Sequence, residues 1–568
     1  MMRSSRALRL LQIRSRPSHA SHTISRIQTI RNGYCTSCDP PARTKKAKST
    51  NKTTTTLADH RQLGLEQELF MTSTYNPGSP IFLPNGTKLF TRLTNFLRAQ
   101  YDNFGFQEVI TPTIYKKSLW EKSGHWDNYA DDMYSVTGRG ASGEKKGRQI
   151  GEDEEYGLKP MNCPGHCLIF ASKQRSYRDL PLRYADFSPL HRNEVHGALS
   201  GLTRVRRFHQ DDGHIFCRPS QILEEIKRTL DFIKMTYGVL GLGPYRLALS
   251  TRPVDHFIGT IEEWDNAEAA LKEALEASGQ DWTLNEGDGA FYGPKIDVIL
   301  KDSDRREHQT ATIQLDFQLP KRFDLEYQAP APELEQKGET TTDPALLEVQ
   351  GPVTPVMIHR AVLGSVERIM ALLIEHHNGH WPFWLNPRQV MIIAINDSEA
   401  VVEYAQKCKR ILQGIDSGNE TPHGAMRMES QDRISIDLDT SARSLAKKVR
   451  EARLKRYSII VVVGQQDIST NRVVVDLRGI PNGEEWLVDD VLLRRAVSDL
   501  EMSVEPEIDE PPPGDSKVRR IQVQTTMGSK FIRPLGVPRL EPHQLMNLRI
   551  SAQQLKFFLL NLNTSYKG

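Results

Sequence analysis

A change of sequence pattern at residues 381–387, where the chain reads WPFWLNP, constrains the fold more than any other feature. Before it, from about residue 59, helical periodicity alternates with β-rich runs; we predict helices at 88–101 and 220–237 and a strand at 106–111. After it, short apolar runs at 388–395, 434–438, 458–463 and 472–476 alternate with helical patterns at 398–412 and 441–456. The sequence therefore predicts a large mixed α/β unit followed by a smaller α/β unit.

Polar and proline-rich segments interrupt or follow these two units. We interpret 138–155 and about 329–351 as surface insertions, because both are rich in residues that favour loops. Residues 505–515 contain three consecutive prolines and predict a linker, and the sequence assigns no role to the tail that reaches residue 568.

The first 38 residues contain seven arginines and many serines, and no acid precedes Asp39. This composition is typical of a mitochondrial transit peptide, so we expect residues 1–58 to be a cleavable, unfolded leader. A disordered basic arm is the alternative. Cys35 and Cys38 have CxxC spacing, but they lie in this leader without a second pair, so we interpret them as incidental thiols.

Composition limits the remaining function classes. The chain of 568 residues is 38% hydrophobic and 26% charged, as in soluble multidomain proteins, and no apolar run is long enough for a membrane span. Six cysteines in this length do not make a disulfide scaffold. A net charge of +3 neither demands nor excludes a nucleic-acid partner.

The runs at 188–194 and 204–217 carry the clearest chemical signal. Two β-rich arms surround a Gly/Ser-containing loop at 196–201, with arginines near both ends of the hairpin. Guanidinium groups bind phosphate oxygens in pairs, so this hairpin predicts a polyphosphate site; an exposed charged hairpin is the alternative. Gln210, Asp211, Asp212 and His214 follow in an otherwise apolar strand and also indicate a site.

Three segments resemble the sequence motifs of the class II aminoacyl-tRNA synthetases. Residues 106–112 are similar to motif 1, residues 192–217 to motif 2 and residues 364–368 to motif 3. Four further strings resemble threonyl-tRNA synthetases in particular: WEKSGHWDNY at 120–129, MNCPGH at 161–166, FYGPKID at 291–297 and PVMIHR at 355–360. The resemblance implies a class II catalytic domain around an antiparallel sheet at 59–384, an anticodon-binding domain at 385–504, and a linker and tail at 505–568.

The resemblance implies one catalytic zinc ion per subunit, held by Cys163, His214 and His359. Three protein ligands leave coordination open for the amino and hydroxyl groups of threonine. The implied threonine pocket consists of Gln210, Asp212, Tyr292 and Gln314. His166 and Cys217 are nearby alternative ligands that do not match the family's positions.

The resemblance also implies an ATP site, with Mg²⁺ on the phosphates. Its implied residues are Arg192, Glu194, Arg204, Phe208, Gln309 and Arg368. Arg192, Lys295 and Arg368 are the implied catalytic residues, since fixed positive groups stabilise the charge that develops during adenylate formation. Phe208 and Arg368 would sandwich the adenine.

The implied function is ATP-dependent joining of L-threonine to tRNA(Thr) in the mitochondrial matrix by a homodimer that does not enter membranes. A basic helix at 441–456 would lie along tRNA phosphates. A synthetase of another specificity and a non-catalytic, synthetase-like tRNA-binding regulator are the alternatives. Because only about 58 residues precede the core, we expect no N-terminal editing domain and therefore detectable activation of serine.

Overall fold

The computed structural model describes residues 58–137, 155–255, 257–414, 434–480 and 548–564. From residue 57 onward the chain forms one compact unit, which contains two large apolar cores. Among the described residues, no helix is long and apolar enough to cross a membrane. The predicted leader, with Cys35 and Cys38, and the predicted loop at 138–155 lie almost wholly outside the described residues.

The first unit, which surrounds the first core, contains eleven helices and sixteen strands among the described residues. The helices are α1 His60–Glu66, α2 Pro84–Phe104, α3 Lys117–Ser123, α4 His125–Asn128, α5 Cys163–Ala171, α6 Ile222–Leu240, α7 Ile261–Ser278, α8 Gln318–Arg322, α9 Pro332–Lys337, α10 Pro344–Glu348 and α11 Val366–His376. The strands are β1 Phe70–Met71, β2 Ile81–Phe82, β3 Gln107–Glu108, β4 Ile114–Lys116, β5 Ser135–Val136, β6 Tyr156–Leu158, β7 Leu182–Asp186, β8 Pro189–His191, β9 Arg207–Cys217, β10 Arg246–Ser250, β11 Trp282–Asn285, β12 Lys295–Lys301, β13 Glu307–Asp316, β14 Tyr327–Pro330, β15 Gln350–Val353 and β16 Val356–Ser365.

The central sheet runs in the order β11-β10-β12-β13-β16-β9-β7-β3, with β8 paired to β9. Neighbouring strands are antiparallel except at the two ends of the sheet, where β10 pairs with β11 and β3 with β7 in parallel. Helices α2, α6, α7 and α11 contribute side chains to the core on one face of this sheet. The predicted mixed α/β unit around an antiparallel sheet is confirmed.

Helix α2 shows how the spacing of apolar residues in the sequence predicts a helix. Leu89, Leu93, Leu97 and Tyr101 recur every four residues and are buried, so one face of the helix packs on the core. Gly105 ends the helix with φ of 72°, a left-handed conformation that glycine adopts without steric cost.

Two predictions in this unit need correction. The strand predicted at 106–111 is only two residues long, because Thr111 donates its backbone N–H to the Asp186 carboxylate, 3.0 Å away, instead of continuing the ladder. The segment predicted as a loop at 329–351 forms the β14–β15 hairpin with α9 and α10. The buried Glu335 anchors it, since its carboxylate accepts hydrogen bonds from Arg218 and Tyr327.

The second core surrounds a five-stranded sheet. Its strands are β17 Val390–Ala394, β18 Ile436–Asp439, β19 Ile459–Val463, β20 Val473–Asp476 and β21 Leu548–Ile550, in the order β18-β17-β19-β20-β21. Its helices are α12 Glu399–Leu412, α13 Leu445–Leu454, α14 Gln465–Thr470 and α15 Ala552–Thr564. Strands β17, β18 and β19 are parallel, and β20 and β21 continue the sheet antiparallel. The smaller α/β unit predicted after residue 387 is therefore present.

The tail to which the sequence assigned no role contributes to this second core. Strand β21 pairs with β20, and α15 buries Leu555, Phe558 and Leu559 among the side chains of the core. The apolar residues recur at helical spacing, a pattern that the sequence interpretation did not use because the tail as a whole is mixed in composition. The second core thus includes residues on both sides of the undescribed stretch 481–547.

Arg92 of α2 connects the two cores. Its guanidinium donates to the carbonyl of Asn386, to Oε1 of Gln389 at 2.7 Å and to Oγ of Ser435 at 3.0 Å. Burial lowers the pKa of Arg92 to about 10, so the group remains charged at neutral pH. Its three acceptors belong to the second unit and fix that unit against α2.

Candidate active site

Four of the predicted site residues lie in one row across the central sheet. Cross-strand pairing joins Lys295 to Gln314, Gln314 to His359 and His359 to His214, and Tyr184 continues the row on β7. Directly paired residues on adjacent strands project from the same face of a sheet. The register therefore brings together side chains that are far apart in the sequence.

A second row lies two residues further along each strand. It pairs Asp297 with Thr312, Ala361 with Asp212, and Asp212 with Asp186. Side chains alternate between faces along a strand, so this row shares its face with the first. Two neighbouring rows thus place acids, imidazoles, an amide and a lysine on one side of the sheet.

Cys163, the first residue of α5, completes a cluster with His214 and His359. All three are buried, and their potential ligand atoms lie within 4.8 Å of one another. His214 Nε2 lies 3.0 Å from His359 Nδ1. Ligands of a tetrahedral zinc ion are separated by roughly 3–4 Å, so the cluster has the dimensions of a three-ligand zinc site.

The surroundings of the cluster also suit a metal ion. His359 Nε2 lies 2.7 Å from Asp316 Oδ2 and donates to it, which leaves Nδ1 free to bind a cation. Burial lowers the pKa of His214, which keeps the imidazole neutral, and burial raises the pKa of the Cys163 thiol. Neutral imidazole is the form that binds metals, and a bound cation would offset the cost of ionising a buried thiol.

The two alternative ligands lie outside the cluster. His166 contacts Nδ1 of His214, the ring nitrogen that is not directed at His359, and the Nδ1 atoms of the two histidines lie 2.7 Å apart. Cys217 is fully buried in the first apolar core. His166 therefore contacts a candidate ligand without joining the cluster.

The predicted threonine pocket adjoins the cluster. The Tyr292 ring stacks on the His359 ring with centroids 4.8 Å apart, and its hydroxyl donates to Gln314. Asp212 accepts a hydrogen bond from the backbone N–H of Asn162 at 3.2 Å, and its Oδ1 lies 3.7 Å from His214 Nε2. Gln210 lies further along β9, paired with Ser365.

The predicted nucleotide residues on the 188–217 hairpin form two contacting pairs. The Arg192 guanidinium lies over the Phe208 ring, 5.1 Å from its centroid, and Arg192 Nε is buried without a hydrogen-bond partner among the described residues. Arg204 Nε donates to Glu194 at 2.9 Å. A buried guanidinium N–H without an acceptor is a feature expected of an anion site.

The structure also brings Arg368 and Gln309 together. Arg368 donates to the carbonyl of Thr203 at 3.0 Å and to the carbonyl of Gln309 at 2.6 Å. Both residues line a cavity of about 530 Å³, together with His60, Thr203, Arg204 and Glu375. Phe208 contacts Arg192 in this structure, and the adenine sandwich of Phe208 and Arg368 stays a prediction.

Comparison with known proteins assigns both units. A tRNA synthetase class II core domain (G, H, P, S and T) matches residues 147–340, and an anticodon binding domain matches residues 389–491. A Schizosaccharomyces pombe protein named probable threonine–tRNA ligase, mitochondrial, is 46% identical over 469 residues, which cover 82% of this chain and 93% of that protein. This chain belongs to the threonyl-tRNA synthetase family.

Other members of the family agree. The mitochondrial threonine–tRNA ligase of Saccharomyces cerevisiae is 47% identical over 439 residues, covering 76% of this synthetase and 88% of that one. A crystal structure described as the RNA binding domain of threonyl-tRNA synthetase from Cryptosporidium parvum is 45% identical, with a TM-score of 0.63 over 74% of this chain and 93% of the other. Several longer relatives are matched over about half their length.

Two residues that the sequence interpretation did not select lie within the synthetase site. His125 is fully buried, and its Nε2 lies 3.6 Å from Cys163 Sγ. Asp297 Oδ2 lies 3.2 Å from Lys295 Nζ, and Asp297 Oδ1 accepts a hydrogen bond from Gln309. Asp297 therefore connects Lys295, in the same sheet row as His359, with a predicted ATP ligand. His125 lies in the string WEKSGHWDNY and Asp297 in FYGPKID, both of which resemble threonyl-tRNA synthetases. The family resemblance was therefore the signal that could have identified these two residues.

The basic helix of the synthetase's second unit differs from the prediction at one position. Helix α13 spans Leu445–Leu454, and Lys448 on it is buried, with Nζ donating to the Ala394 carbonyl at 2.8 Å. This lysine therefore holds the helix on β17 and is not available to tRNA phosphates. Arg443 and Arg453 form ion pairs with Asp439 and Asp476 respectively.

Proposed function

We propose that this synthetase joins L-threonine to tRNA(Thr), using ATP and a threonyl-adenylate intermediate, for translation in mitochondria. The observation that carries the proposal is the buried cluster of Cys163, His214 and His359, which shares one face of the sheet with Lys295 and Gln314. The mitochondrial names of its Schizosaccharomyces and Saccharomyces relatives support the location.

Cys163, His214 and His359 would hold one Zn²⁺ ion per subunit, which would bind the amino and hydroxyl groups of threonine at its open coordination positions. Valine has nearly the shape of threonine, and an apolar pocket would separate the two poorly. A site that requires a hydroxyl rejects valine because polar groups would be left unsatisfied. Asp212 would accept the hydroxyl proton, with Gln210, Tyr292 and Gln314 lining the rest of the pocket.

Adenylate formation needs no general base, because the threonine carboxylate is already ionised at neutral pH. Arg192 would bind the α-phosphate through its Nε–H, which has no acceptor within the described part of the chain, and Lys295 would stabilise charge on the same phosphate. Glu194 would accept from the adenine amino group, Arg204 would hold the γ-phosphate, and Phe208, Gln309 and Arg368 would enclose the base. Mg²⁺ would arrive with ATP. The threonine carboxylate would displace pyrophosphate from the α-phosphate to form the adenylate. A terminal ribose hydroxyl of the tRNA would then attack the carbonyl carbon of the adenylate, forming the ester and releasing AMP and a proton.

A homodimer is the assembly we propose. Ile110 and Ile114 follow the motif 1 strand and are 87% and 46% exposed. Large apolar side chains left exposed along one segment are typical of a surface that another chain covers. A second copy of this chain would bury them.

We also propose the mitochondrial matrix as the site of action, reached by means of the leader at 1–58. The arginine-rich, acid-free composition of that leader supports import. The sequence divides the chain into four segments at residues 58, 384 and 504. We revise the last of them, because the tail strand β21 and helix α15 pack with the anticodon-binding unit.

The decisive experiment is ATP–pyrophosphate exchange by the purified protein with threonine, serine, valine or proline. We expect strong exchange with threonine, weaker exchange with serine and none with valine or proline. Cys163→Ala should abolish exchange and zinc content, measured by atomic absorption. Cys167→Ala is the matched control, because Cys167 is a buried cysteine one turn away on α5 and outside the cluster.

If folded, zinc-loaded protein shows no exchange with any of the four amino acids, the enzyme proposal is wrong. A tRNA-binding regulator would then be the better interpretation. Exchange that depends on proline instead of threonine would identify a synthetase of another specificity. Full exchange by metal-free Cys163→Ala would remove the role of zinc.

A further inference from the structure

We propose that His60 is a positioning residue for the ATP site: it holds the loop of the nucleotide-binding hairpin, at Leu202, against Glu375 of α11. The inference rests on the proposed ATP site and goes beyond the residues assigned to it. His60 is the first residue of α1, only 5% exposed, and lines the cavity of about 530 Å³ described above.

Both ring nitrogens of His60 have defined partners. Nε2 accepts a hydrogen bond from the backbone N–H of Leu202 at 3.1 Å, and Nδ1 lies 2.7 Å from Glu375 Oε1. Since a backbone N–H can only donate, Nε2 carries the lone pair and Nδ1 carries the proton that it donates to the carboxylate. The neutral imidazole therefore bridges the hairpin loop and α11.

The glutamate that receives this proton is itself held in place. Glu375 Oε1 also accepts the backbone N–H of His60 at 3.2 Å, and Oε2 accepts from Ser303 Oγ at 3.1 Å. Burial raises the pKa of Glu375, but the hydrogen bonds from His60 outweigh this effect and lower the pKa overall. Glu375 is thus an ionised, fixed acceptor at the end of α11.

The packing of the loop on His60 is tight as well as hydrogen-bonded. Gly201 has φ of 47°, and a Cβ atom built there would lie only 2.1 Å from His60 Nε2. A side chain at this position would therefore displace either the imidazole or the loop. Glycine allows the backbone to approach the ring and place the Leu202 N–H on Nε2.

The residues that follow Leu202 contact the predicted nucleotide ligands. The Thr203 carbonyl accepts from Arg368, and Arg204 is the predicted γ-phosphate ligand. If the loop were released at Leu202, the Thr203 carbonyl would no longer be held in place. The Arg368 guanidinium, which donates to that carbonyl, would then lose its fixed position. His60 acts through this loop, and it makes no contact with the zinc cluster in the described structure.

Two conservative variants separate the loop contact from the anchoring of α1. In His60→Gln, the amide oxygen reaches the position of Nε2 and can accept the Leu202 N–H. In His60→Asn, the shorter amide reaches the position of Nδ1 and can donate only to Glu375. His60→Ala removes both contacts, and Gln62→Ala on the exposed face of α1 is the control.

The measurement is the Kd for ATP, by titration calorimetry on the full chain, with a melting curve for each variant. We expect His60→Asn and His60→Ala to raise this Kd about tenfold, the effect of leaving one buried N–H unpaired, and His60→Gln to restore it nearly to the wild-type value. The KM for threonine at saturating ATP should stay unchanged in all variants.

An ATP Kd of wild-type size in a folded His60→Asn variant would overturn the inference. So would a His60→Gln variant as weak as His60→Ala, because the acceptor at the Nε2 position would then be irrelevant. Wild-type protein that binds ATP but shows no threonine-dependent exchange would overturn the proposed function instead, and the Kd series would still decide the role of His60.

Discussion

Asp316 shows how one residue can serve two parts of the site. Its Oδ2 accepts from His359 Nε2 at 2.7 Å, while its Oδ1 accepts the backbone N–H groups of Gln318 and Leu319 at 2.7 and 3.0 Å. The carboxylate therefore fixes the start of α8 and the orientation of a candidate metal ligand together. Carboxylates behind a metal-binding histidine also increase its basicity.

Replacing Asp316 by asparagine should weaken zinc binding roughly 10- to 100-fold, because the charge behind His359 is lost while the caps of α8 can be kept. Competition with a coloured chelator measures this affinity without any assay of activity. Asp281→Asn is the control, since Asp281 is exposed and outside the site. Equal zinc affinity in Asp316→Asn and the wild type would show that the carboxylate does not support the metal.

Individual site residues were predictable from the sequence only through the family motifs. Cys163, His214 and His359 are too widely spaced to suggest a metal site, because the sheet register that brings His214 opposite His359 is not encoded in their separation. His60 carried no motif signal at all. Its role depends on contacts with Leu202 and Glu375, which are far from His60 in the sequence and reach its imidazole ring only in the folded chain.

Secondary-structure elements were predictable where one face is buried along many residues. Helices α2 and α6 were expected within a few residues of their observed bounds, because each has a continuous apolar stripe. The β14–β15 insertion was missed because its structure depends on long-range contacts, namely the Glu335–Arg218 pair and the burial of Tyr327 and Val353 in a separate apolar cluster. The sequence around Glu335 is polar and does not reveal that contact.

Helix α15 provides the prediction at this scale. Leu559 is fully buried in the second core, so Leu559→Ala should destabilise the protein by about 2–5 kcal/mol through lost burial and a cavity. Urea unfolding, followed by a probe in the second unit, measures the free-energy change. Gln553→Ala, at an exposed position of the same helix, should have almost no effect, and equal stability of the two variants would mean that α15 does not pack as described.

For the whole molecule, the prediction concerns assembly. Ile110 is 87% exposed in a single chain, and an aspartate in its place should prevent a second copy from covering the motif 1 region. We expect the wild-type protein to sediment as a dimer and Ile110→Asp as a folded monomer, whereas Leu454→Asp, at an exposed residue of α13, should remain dimeric. A monomeric wild-type protein at micromolar concentration would contradict the proposed assembly.

The pairing of β21 with β20 has a consequence for how the protein is made. A ribosome delivers Val473–Asp476 well before Leu548–Ile550, so the apolar edge of β20 waits for its partner in the described sheet until residues 477–547 have also been made. Unpaired strand edges are templates for aggregation. The first core, in contrast, consists entirely of earlier residues. Chaperone protection during translation should therefore matter most for the second half of this chain, and ribosome stalling after residue 476 should leave it especially prone to aggregate.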